Sequence, residues 1–224
     1  LGVRRPEAFV GEPQRASLAA RLGAAEAEYL ALAPGYAAGS IHPAEGALLY
    51  ALVRALAPDV IVETGTANGS STAYILAALH ANGAGRLVSV DLPFRVSEQS
   101  ELRPIVAGTS IDGYDASPVP PGKEPGWMVP DDLRDRWQLR LGDATVLLPD
   151  LLAELGEIDV FFHDSLHTHE HMLFEFGAAW PHLRPSGVLV ADDVFQRKHE
   201  ALPAFARSVE RPFATFGNFG FVRK

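Results

Sequence analysis

Three acidic residues stand directly after apolar runs that have the composition of buried β-strands. Asp164 follows residues 158–163, and Asp192 and Asp193 follow residues 187–191. The carboxyl ends of neighbouring parallel strands lie side by side, in the crevice where ligands bind. Converging carboxylates repel one another unless a cation lies among them, and oxygen ligands suit Mg²⁺, Mn²⁺ or Ca²⁺. The alternative is that these acids cap helices or loops and hold no metal.

A histidine lies close to the first of these acids. His167 follows Asp164 by three residues, and a neutral imidazole can accept a proton near neutral pH. His167 is therefore the candidate general base, and a helix-start histidine that only bonds the main chain is the alternative. His167 and His171 also have the i,i+4 spacing that could hold zinc on a helix face. The zinc-protease pattern His-Glu-x-x-His is absent, which disfavours zinc.

A glycine-rich segment, residues 62–71, follows a β-branched run and opens a helix. Glycine lets the main chain approach a ligand closely, and free N–H groups at a helix start favour polar ligand atoms. The spacing Gly-x-x-x-Gly does not match the Gly-x-Gly-x-x-Gly fingerprint of dinucleotide sites. The segment predicts a nucleotide-like ligand, with a tight turn that binds nothing as the alternative. Its candidate contacts are Glu63, Gly65, Thr66, Gly69, Ser70 and Ser71.

Two further positions fit such a ligand. Asp91 ends a second apolar run about 20 residues past the glycines, where an acid can bind a ribose hydroxyl pair. A solvated strand-end Asp is the alternative. Gly142, Asp143 and Ala144 end a third run, at a position that commonly faces an adenine ring. Asp143 could equally cap the helix that follows it, and both roles are compatible.

The elements that would position these residues alternate along the chain. Strands are predicted at 59–63, 86–91, 137–141, 158–163 and 187–191, with helices between them and a hairpin around Gly217-Asn218. This alternation predicts an α/β fold with a mostly parallel sheet. Helices at 14–32 and 43–56 form an N-terminal extension over residues 1–57, followed by one domain over 58–224. Residues from about 94 to 130 lack periodicity and are predicted to form a long loop or lid over the site.

Composition excludes some partners and compartments. The formal net charge is −9, which argues against binding to nucleic acid. The absence of cysteine excludes disulfides and zinc-thiolate sites. We find no apolar run long enough to cross a membrane and no apolar core of a signal peptide, so a cytoplasmic protein is expected. A small-molecule substrate fits this composition, and a homodimer is the default expectation for the assembly.

The glycine segment, Asp91 and Gly142-Asp143-Ala144 together resemble class I S-adenosylmethionine (SAM)-dependent methyltransferases. Residues 158–170 and 183–194 narrow the resemblance to a bacterial small-molecule branch, methyltransferase family 24. This branch pairs an Asp-x-x-His-x-x-Glu segment with a terminal Asp-Asp, and includes macrolide-sugar and cephalosporin-pathway O-methyltransferases. The resemblance covers roughly residues 40–194. Ser186 stands where Gly is usual, and His169 where an aromatic residue is common.

The resemblance implies a Rossmann-like fold with a seven-stranded, mostly parallel sheet that ends in an antiparallel hairpin. It implies that SAM binds the candidate contacts above and also Asp164. Metal-dependent O-methyltransferases, including the catechol type, place acids at matching strand ends. By that likeness Asp164, Asp192 and Asp193 are the predicted ligands of a divalent cation, Mg²⁺ first.

The predicted reaction is O-methylation of a hydroxyl on a small molecule such as a sugar or polyketide, with Asp164 and His167 as the catalytic residues. The cation would bind the hydroxyl and lower its pKa, which is how metals activate bound oxygen. Three alternatives stay open at this point. They are a metal-independent N- or C-methyltransferase, a nicotinamide-dependent oxidoreductase, and a SAM-binding module without chemistry.

Overall fold

The structure is a computed structural model that describes residues 6–97, 99, 101–108, 117–194 and 200–224. The chain divides into two compact units. The first unit comprises Leu1–Ala57, Thr66–Arg86 and Leu92–Trp137, and the second comprises Pro58–Gly65, Leu87–Asp91 and Gln138–Lys224. The predicted boundary between an extension over 1–57 and a domain over 58–224 stays a prediction.

The described residues contain six α-helices and nine strands. The helices are α1 Pro13–Leu32, α2 Pro43–Leu56, α3 Ser70–Asn82, α4 Ala144–Leu155, α5 His169–Ala179 and α6 Ala201–Ser208. The strands are β1 Val60–Thr64, β2 Arg86–Asp91, β3 Phe94–Val96, β4 Leu102–Pro104, β5 Trp137–Leu141, β6 Ile158–His163, β7 Leu183–Ala191, β8 Phe213–Phe216 and β9 Phe219–Arg223. Short 3₁₀ helices lie at Pro6–Phe9, Asp131–Arg136 and Trp180–His182.

Seven strands form one sheet in the order β5-β2-β1-β6-β7-β9-β8. Strand β6 pairs in parallel with β1 and β7, and β9 pairs antiparallel with β7 and β8. The predicted Rossmann-like fold, mostly parallel sheet and C-terminal hairpin are therefore confirmed. The apolar runs that predicted β1 and β6 are almost wholly buried, as expected for strands covered on both faces.

In the second unit, helices α4, α5 and α6 pack in one apolar core with the central strands. Helix α5 buries Met172, Phe176 and Ala179, which recur at helical spacing along one face. Asp143 caps α4 and Thr168 caps α5, each accepting a hydrogen bond from a main-chain N–H of the first turn. These caps fix where the chain leaves β5 and where it enters α5.

In the first unit, α3 packs against α1 and α2. Pro43 begins α2, and His42 and Glu45 form a capping box there, so the predicted start of this helix is confirmed. Tyr29 of α1 is fully buried and donates a hydrogen bond to the carbonyl of Pro118, 3.1 Å away. Gly46 is required where α2 meets α3, because an added Cβ would lie 2.2 Å from the ring of Tyr74.

The prediction that residues 94–130 lack structure is wrong for part of that segment. Phe94 and Val96 are buried in the short strand β3, which pairs antiparallel with β4. Val119 forms an isolated bridge with Arg95. Two buried residues around one half-buried residue are enough for a three-residue strand, but too short a pattern to establish periodicity. The part of the predicted lid at 98, 100 and 109–116 lies outside the described residues.

Among the described residues, no helix combines the length and apolar character that crossing a membrane would need.

A buried acid connects the starts of β1 and β6 and gives a test of this fold. Oδ2 of Asp159 accepts hydrogen bonds from the N–H groups of Asp59 and Val60, at 2.9 and 2.7 Å. Nε of Arg184 lies 2.6 Å from Oδ1. We expect Asp159→Ala to lower the free energy of unfolding by about 1–3 kcal/mol, because it leaves these donors without their acceptor. Urea unfolding measures the change, and exposed Glu157→Ala is the control; equal midpoints for both variants would contradict this account.

Candidate active site

The structure brings two of the predicted acids together at the carboxyl edge of the sheet. The N–H of Asp164 donates to the carbonyl of Thr64 at 2.8 Å, which places Asp164 beside the end of β1. The N–H of Asp192 donates to the carbonyl of His163 at 2.9 Å, which places Asp192 beside the end of β6. The carboxyl groups of Asp164 and Asp192 lie close enough for each to influence the ionisation of the other.

The surroundings of Asp164 disfavour its ionised form. Withdrawal from water raises the pKa of its carboxyl group well above the ordinary value, and the charges of Asp192, Glu63 and Asp193 raise it further. Asp192 and Glu63 are themselves buried, so little water screens these charges. The site therefore concentrates negative charge and would gain from a proton or a cation.

Asp193 is oriented differently from its neighbour. It adopts a positive φ of 55°, and its Oδ1 accepts a hydrogen bond from Nδ2 of Asn218 at 2.5 Å. Asn218 lies between β8 and β9, so the C-terminal hairpin holds this third predicted ligand. Within the described ranges, no three His, Asp or Glu side chains are arranged to hold a metal ion. The carboxylate oxygens of Asp164 and Asp192 are the type of ligand that Mg²⁺ prefers. Coordination of a cation by all three predicted acids stays a prediction.

Gly65 makes the close approach between β1 and the end of β6 possible. A Cβ added to Gly65 would lie 1.9 Å from the carbonyl oxygen of Asp164 and 2.8 Å from the nitrogen of Ser165. Its φ of 84° also favours glycine. The first glycine of the segment is thus required by the chain that carries Asp164.

Other predicted cofactor residues of the second unit meet at the same edge. The N–H of Gly65 donates to the carbonyl of Val90 at 2.9 Å, and the N–H of Gly142 donates to the carbonyl of Asp91 at 2.8 Å. Glu63 is fully buried and accepts a hydrogen bond from Ser89 at 2.5 Å. The ends of β1, β2 and β5 are therefore joined in register, with Glu63 and Asp91 on neighbouring strands.

The predicted adenine-side residues have a clear structural role. Asp143 is exposed and accepts hydrogen bonds from the N–H and the hydroxyl of Thr145, at 2.8 and 2.7 Å. Ala144, the first residue of α4, is buried. The capping role of Asp143 is therefore observed, and its contact with a cofactor stays a prediction.

The rest of the glycine segment belongs to the first unit. Thr66 is buried, and its Oγ1 has no hydrogen-bond partner among the described residues. Gly69 precedes α3 in a left-handed conformation and caps it without a side chain. Ser70 and Ser71, which begin the helix, are buried. A buried hydroxyl without a partner, beside a helix start that has no side-chain cap, is typical of a site that binds a polar ligand.

Sequence reasoning missed Asn68, although it lies inside the glycine segment. Its Nδ2 donates to the carbonyl of Ala38 at 2.9 Å, and its Oδ1 accepts from the indole N–H of Trp127 at 2.8 Å. The N–H groups of Gly126 and Met128 donate to the carbonyls of residues 67 and 68, both at 2.9 Å. Trp127 therefore anchors the predicted loop to the glycine segment.

The histidines lie around the end of β6. The rings of His163 and His167 meet edge to face with centroids 5.1 Å apart. Nε2 of His171 lies 2.9 Å from Oε1 of Glu175, so this nitrogen is engaged with a carboxylate. Among the residues that the structure describes, these histidines form no metal site, and the zinc alternative has no support. His167 lies three residues from Asp164, and its role as the base stays a prediction.

Sequence reasoning also missed Glu175, an acid of the second unit with four hydrogen-bonding neighbours. It is fully buried on α5 and lies within hydrogen-bond distance of Thr64, His163, Ser165 and His171. A signal was available, because Glu175 lies on the helical stripe 172, 175, 176 and 179, where the other members are apolar. An acid on a buried stripe requires partners, and those partners come from distant parts of the chain.

Comparison with known proteins agrees with this geometry. A family model described as a methyltransferase domain matches residues 62–194, more than half of the chain. The demethylmacrocin O-methyltransferase of Streptomyces fradiae is 38% identical over 48 residues. That alignment spans 21% of this chain and 12% of the relative.

Solved structures share the fold. The methyltransferase PaMTH1 of Podospora anserina, bound to S-adenosylhomocysteine (SAH), is 16% identical with a TM-score of 0.60, covering 91% of this chain and 87% of that one. The O-methyltransferase of Bacillus cereus in complex with SAH is 19% identical with a TM-score of 0.52. The match covers 95% of this chain and 91% of that one. A methyltransferase of Geobacter sulfurreducens is 18% identical with a TM-score of 0.56, covering 92% and 87%.

The approach at Gly65 leads to a stability prediction. Gly65→Ala places a Cβ against the main chain of Asp164, in addition to straining a left-handed backbone. Gly83→Ala is the matched control, because Gly83 has a left-handed conformation with a φ of 70° and no atom within 4 Å of the added Cβ. We expect the control to lose about 1–2 kcal/mol in free energy of unfolding and Gly65→Ala to lose clearly more. Denaturant unfolding of both variants checks this, and equal losses would refute the close approach.

Glu175 leads to a prediction about pH. Burial raises the pKa of Glu175, but the charges and hydrogen bonds of His163 and His171 lower it by more, so the pKa lies below its ordinary 4.5. A lowered carboxyl pKa stabilises the folded state above the unfolded value, and this stabilisation is lost as the pH falls below it. The melting temperatures of the native chain and of Glu175→Gln should therefore differ most above pH 4.5. Below this pH the difference should become progressively smaller. A difference that does not change between pH 3 and 7 would contradict an ionised Glu175.

Proposed function

The chain belongs to the methyltransferase domain family and is the class I SAM-dependent methyltransferase that its sequence predicts, and on this premise we propose that it methylates a hydroxyl group of a small molecule with the help of a divalent cation. The family membership leaves the oxidoreductase alternative without support. A metal-independent N- or C-methyltransferase remains the second candidate, because no three-ligand metal arrangement is present among the described residues.

One observation carries the proposal, namely the paired carboxyl groups of Asp164 and Asp192 at the carboxyl edge of the sheet. An acceptor hydroxyl must lose its proton as its oxygen attacks the sulfonium methyl group. Carboxylates that adjoin one another are suited to bind a cation rather than an anionic substrate. Asp91 and Glu63 on the neighbouring strands β2 and β1 supply the acids expected beside a ribose.

The residues that would hold the cation are Asp164 and Asp192, with Asp193 as the third predicted ligand. Asp193 would have to exchange its hydrogen bond with Asn218 for a metal contact. When bound, a divalent cation lowers the pKa of a coordinated hydroxyl and fixes its orientation. Glu63, Asp164 and Asp192 then form an acid cluster, and the chain's own residues exclude water around it.

His167 is the proposed base. It lies on the short connection between Asp164 and α5 and is partly exposed. The edge contact with His163 orients its ring. A neutral imidazole there would take the hydroxyl proton as the methyl group is transferred.

SAM brings an activated methyl group, so the protein contributes mainly orientation and exclusion of water. Glu63, Gly65 and Asp91 at the joined strand ends, together with Asp164, are the proposed contacts in the second unit. The further contacts predicted from Thr66, Gly69, Ser70, Ser71, Gly142, Asp143 and Ala144 remain proposals. The unpaired Oγ1 of Thr66 supports the part that lies in the glycine segment.

A sugar or polyketide hydroxyl is the proposed acceptor. The name of the Streptomyces fradiae relative specifies O-methylation, and the net charge of −9 disfavours nucleic acid as an acceptor. Assembly of the chain into a homodimer and its location in the cytoplasm stay predictions.

The function is tested with methyl-labelled SAM and a panel of hydroxylated sugars, macrolides and catechols. We expect SAM to bind in isothermal titration, NAD not to bind, and label to appear on oxygen of at least one acceptor. His167→Ala should keep its SAM affinity and lose about 100-fold or more in transfer rate, the usual contribution of a general base. Label on nitrogen or carbon would overturn the O-methylation, and an undiminished His167→Ala rate would remove the base.

The cation has a separate test. We expect EDTA to reduce transfer and added Mg²⁺ to restore it, because the acid cluster then regains its counter-charge. Asp192→Asn should weaken binding of Mn²⁺, measured by electron paramagnetic resonance, with exposed Asp150→Asn as the control. Transfer that is unchanged by both EDTA and Asp192→Asn would establish the metal-independent alternative.

A further inference from the structure

A single buried carboxylate connects four parts of the second unit. Oε2 of Glu175 accepts a hydrogen bond from the hydroxyl of Thr64 at 2.6 Å and lies 2.6 Å from Nδ1 of His163. Oε1 accepts from the hydroxyl of Ser165 at 2.9 Å and lies 2.9 Å from Nε2 of His171. These partners come from the end of β1, the end of β6, the connection after β6, and α5 itself.

The partners of Glu175 alternate with residues of the acid cluster. Thr64 and His163 are register partners on β1 and β6, and both bond Glu175. Successive side chains of a strand point to opposite faces, so Glu63, which adjoins Thr64 on β1, faces away from Glu175. Asp164 therefore lies between two residues, 163 and 165, that are both hydrogen-bonded to the same carboxylate. No atom of Glu175 needs to touch Asp164 for Glu175 to fix its position.

We propose that Glu175 is a positioning residue, whose carboxylate holds residues 164–167 in the geometry that methyl transfer requires. The inference rests on the proposed function in so far as Asp164 and His167 act in the reaction. Glu175 acts through Ser165, His163 and Thr64.

The chemistry of the partners explains why this position holds an acid. Two hydroxyl groups and two imidazole N–H groups are donors, and an ionised carboxylate is a side chain with acceptors only. Glutamine at this position would offer one acceptor oxygen and would turn an NH₂ group towards two of the donors. Aspartate keeps the acceptors but shortens the side chain by one methylene group, so it would restore part of the network.

Hydrogen exchange followed by mass spectrometry tests the proposal on the full chain. The variants are Glu175→Gln, Glu175→Asp and Ser165→Ala, with exposed Glu157→Gln as the matched control for loss of one carboxylate. We expect Glu175→Gln to speed exchange of residues 163–168 by about tenfold or more, while α4 and β7 exchange as in the native chain. Glu175→Asp should recover part of this protection. Ser165→Ala, which removes one bond of the connection itself, should give a smaller increase at the same residues.

Two results would overturn the positioning role. Native-like exchange of residues 163–168 in Glu175→Gln would show that the carboxylate does not hold this connection. Faster exchange throughout the second unit, without recovery in Glu175→Asp, would show general destabilisation instead. If Glu175→Gln does not fold, Ser165→Ala decides by the same criteria. If the native chain neither binds SAM nor transfers a methyl group, the proposed function is wrong. The exchange data would still show whether Glu175 holds residues 163–168 in place.

Discussion

Buried negative charge at the carboxyl edge of the sheet is the constraint on which the rest of this site depends. Glu63, Asp164 and Asp192 lie close together on one side, and Glu175 lies on the other. An ionised carboxylate removed from water is costly unless it is paired and fully hydrogen-bonded. The two groups of acids are stabilised in different ways. Glu175 is satisfied by four donors from the protein, whereas burial and neighbouring acids raise the pKa of Asp164 and disfavour its ionised form.

This difference distinguishes a structural carboxylate from one that is available for function. A carboxylate surrounded by donors has no lone pair to offer a ligand, so Glu175 can only hold its neighbours in place. An acid such as Asp164, whose pKa is raised by burial and by neighbouring acids, gains from the positive charge that a ligand can bring. The same short stretch of β6 and its connection serves both groups, because His163 and Ser165, on either side of Asp164, are both bonded to Glu175.

The sequence was sufficient to predict the features that depend on local order. Asp164 and Asp192 could be placed at strand ends because apolar runs and strand–helix alternation fix where parallel strands finish. The glycine segment was recognisable from its spacing, although the structure shows that Gly65 also accommodates the main chain of Asp164. The roles of Glu175 and Asn68 depend on partners far away in sequence, and no local pattern specifies such partners. The strand β3 was missed for a related reason, since three residues carry too little periodicity.

The chemistry of methyl transfer makes the positioning of these groups more important than their acid or base strength. SAM is already activated, so the catalytic contribution of the protein is to align an oxygen with the sulfonium methyl group and to exclude water. Displacements of about 1 Å can cost such a reaction about 100-fold in rate. A connection of five residues between β6 and α5 would be free to make such displacements if only its ends were fixed. The hydrogen bond from Ser165 to Glu175 and the contact of Gly65 with Asp164 restrain its interior from two directions, which is the rigidity that this reaction needs.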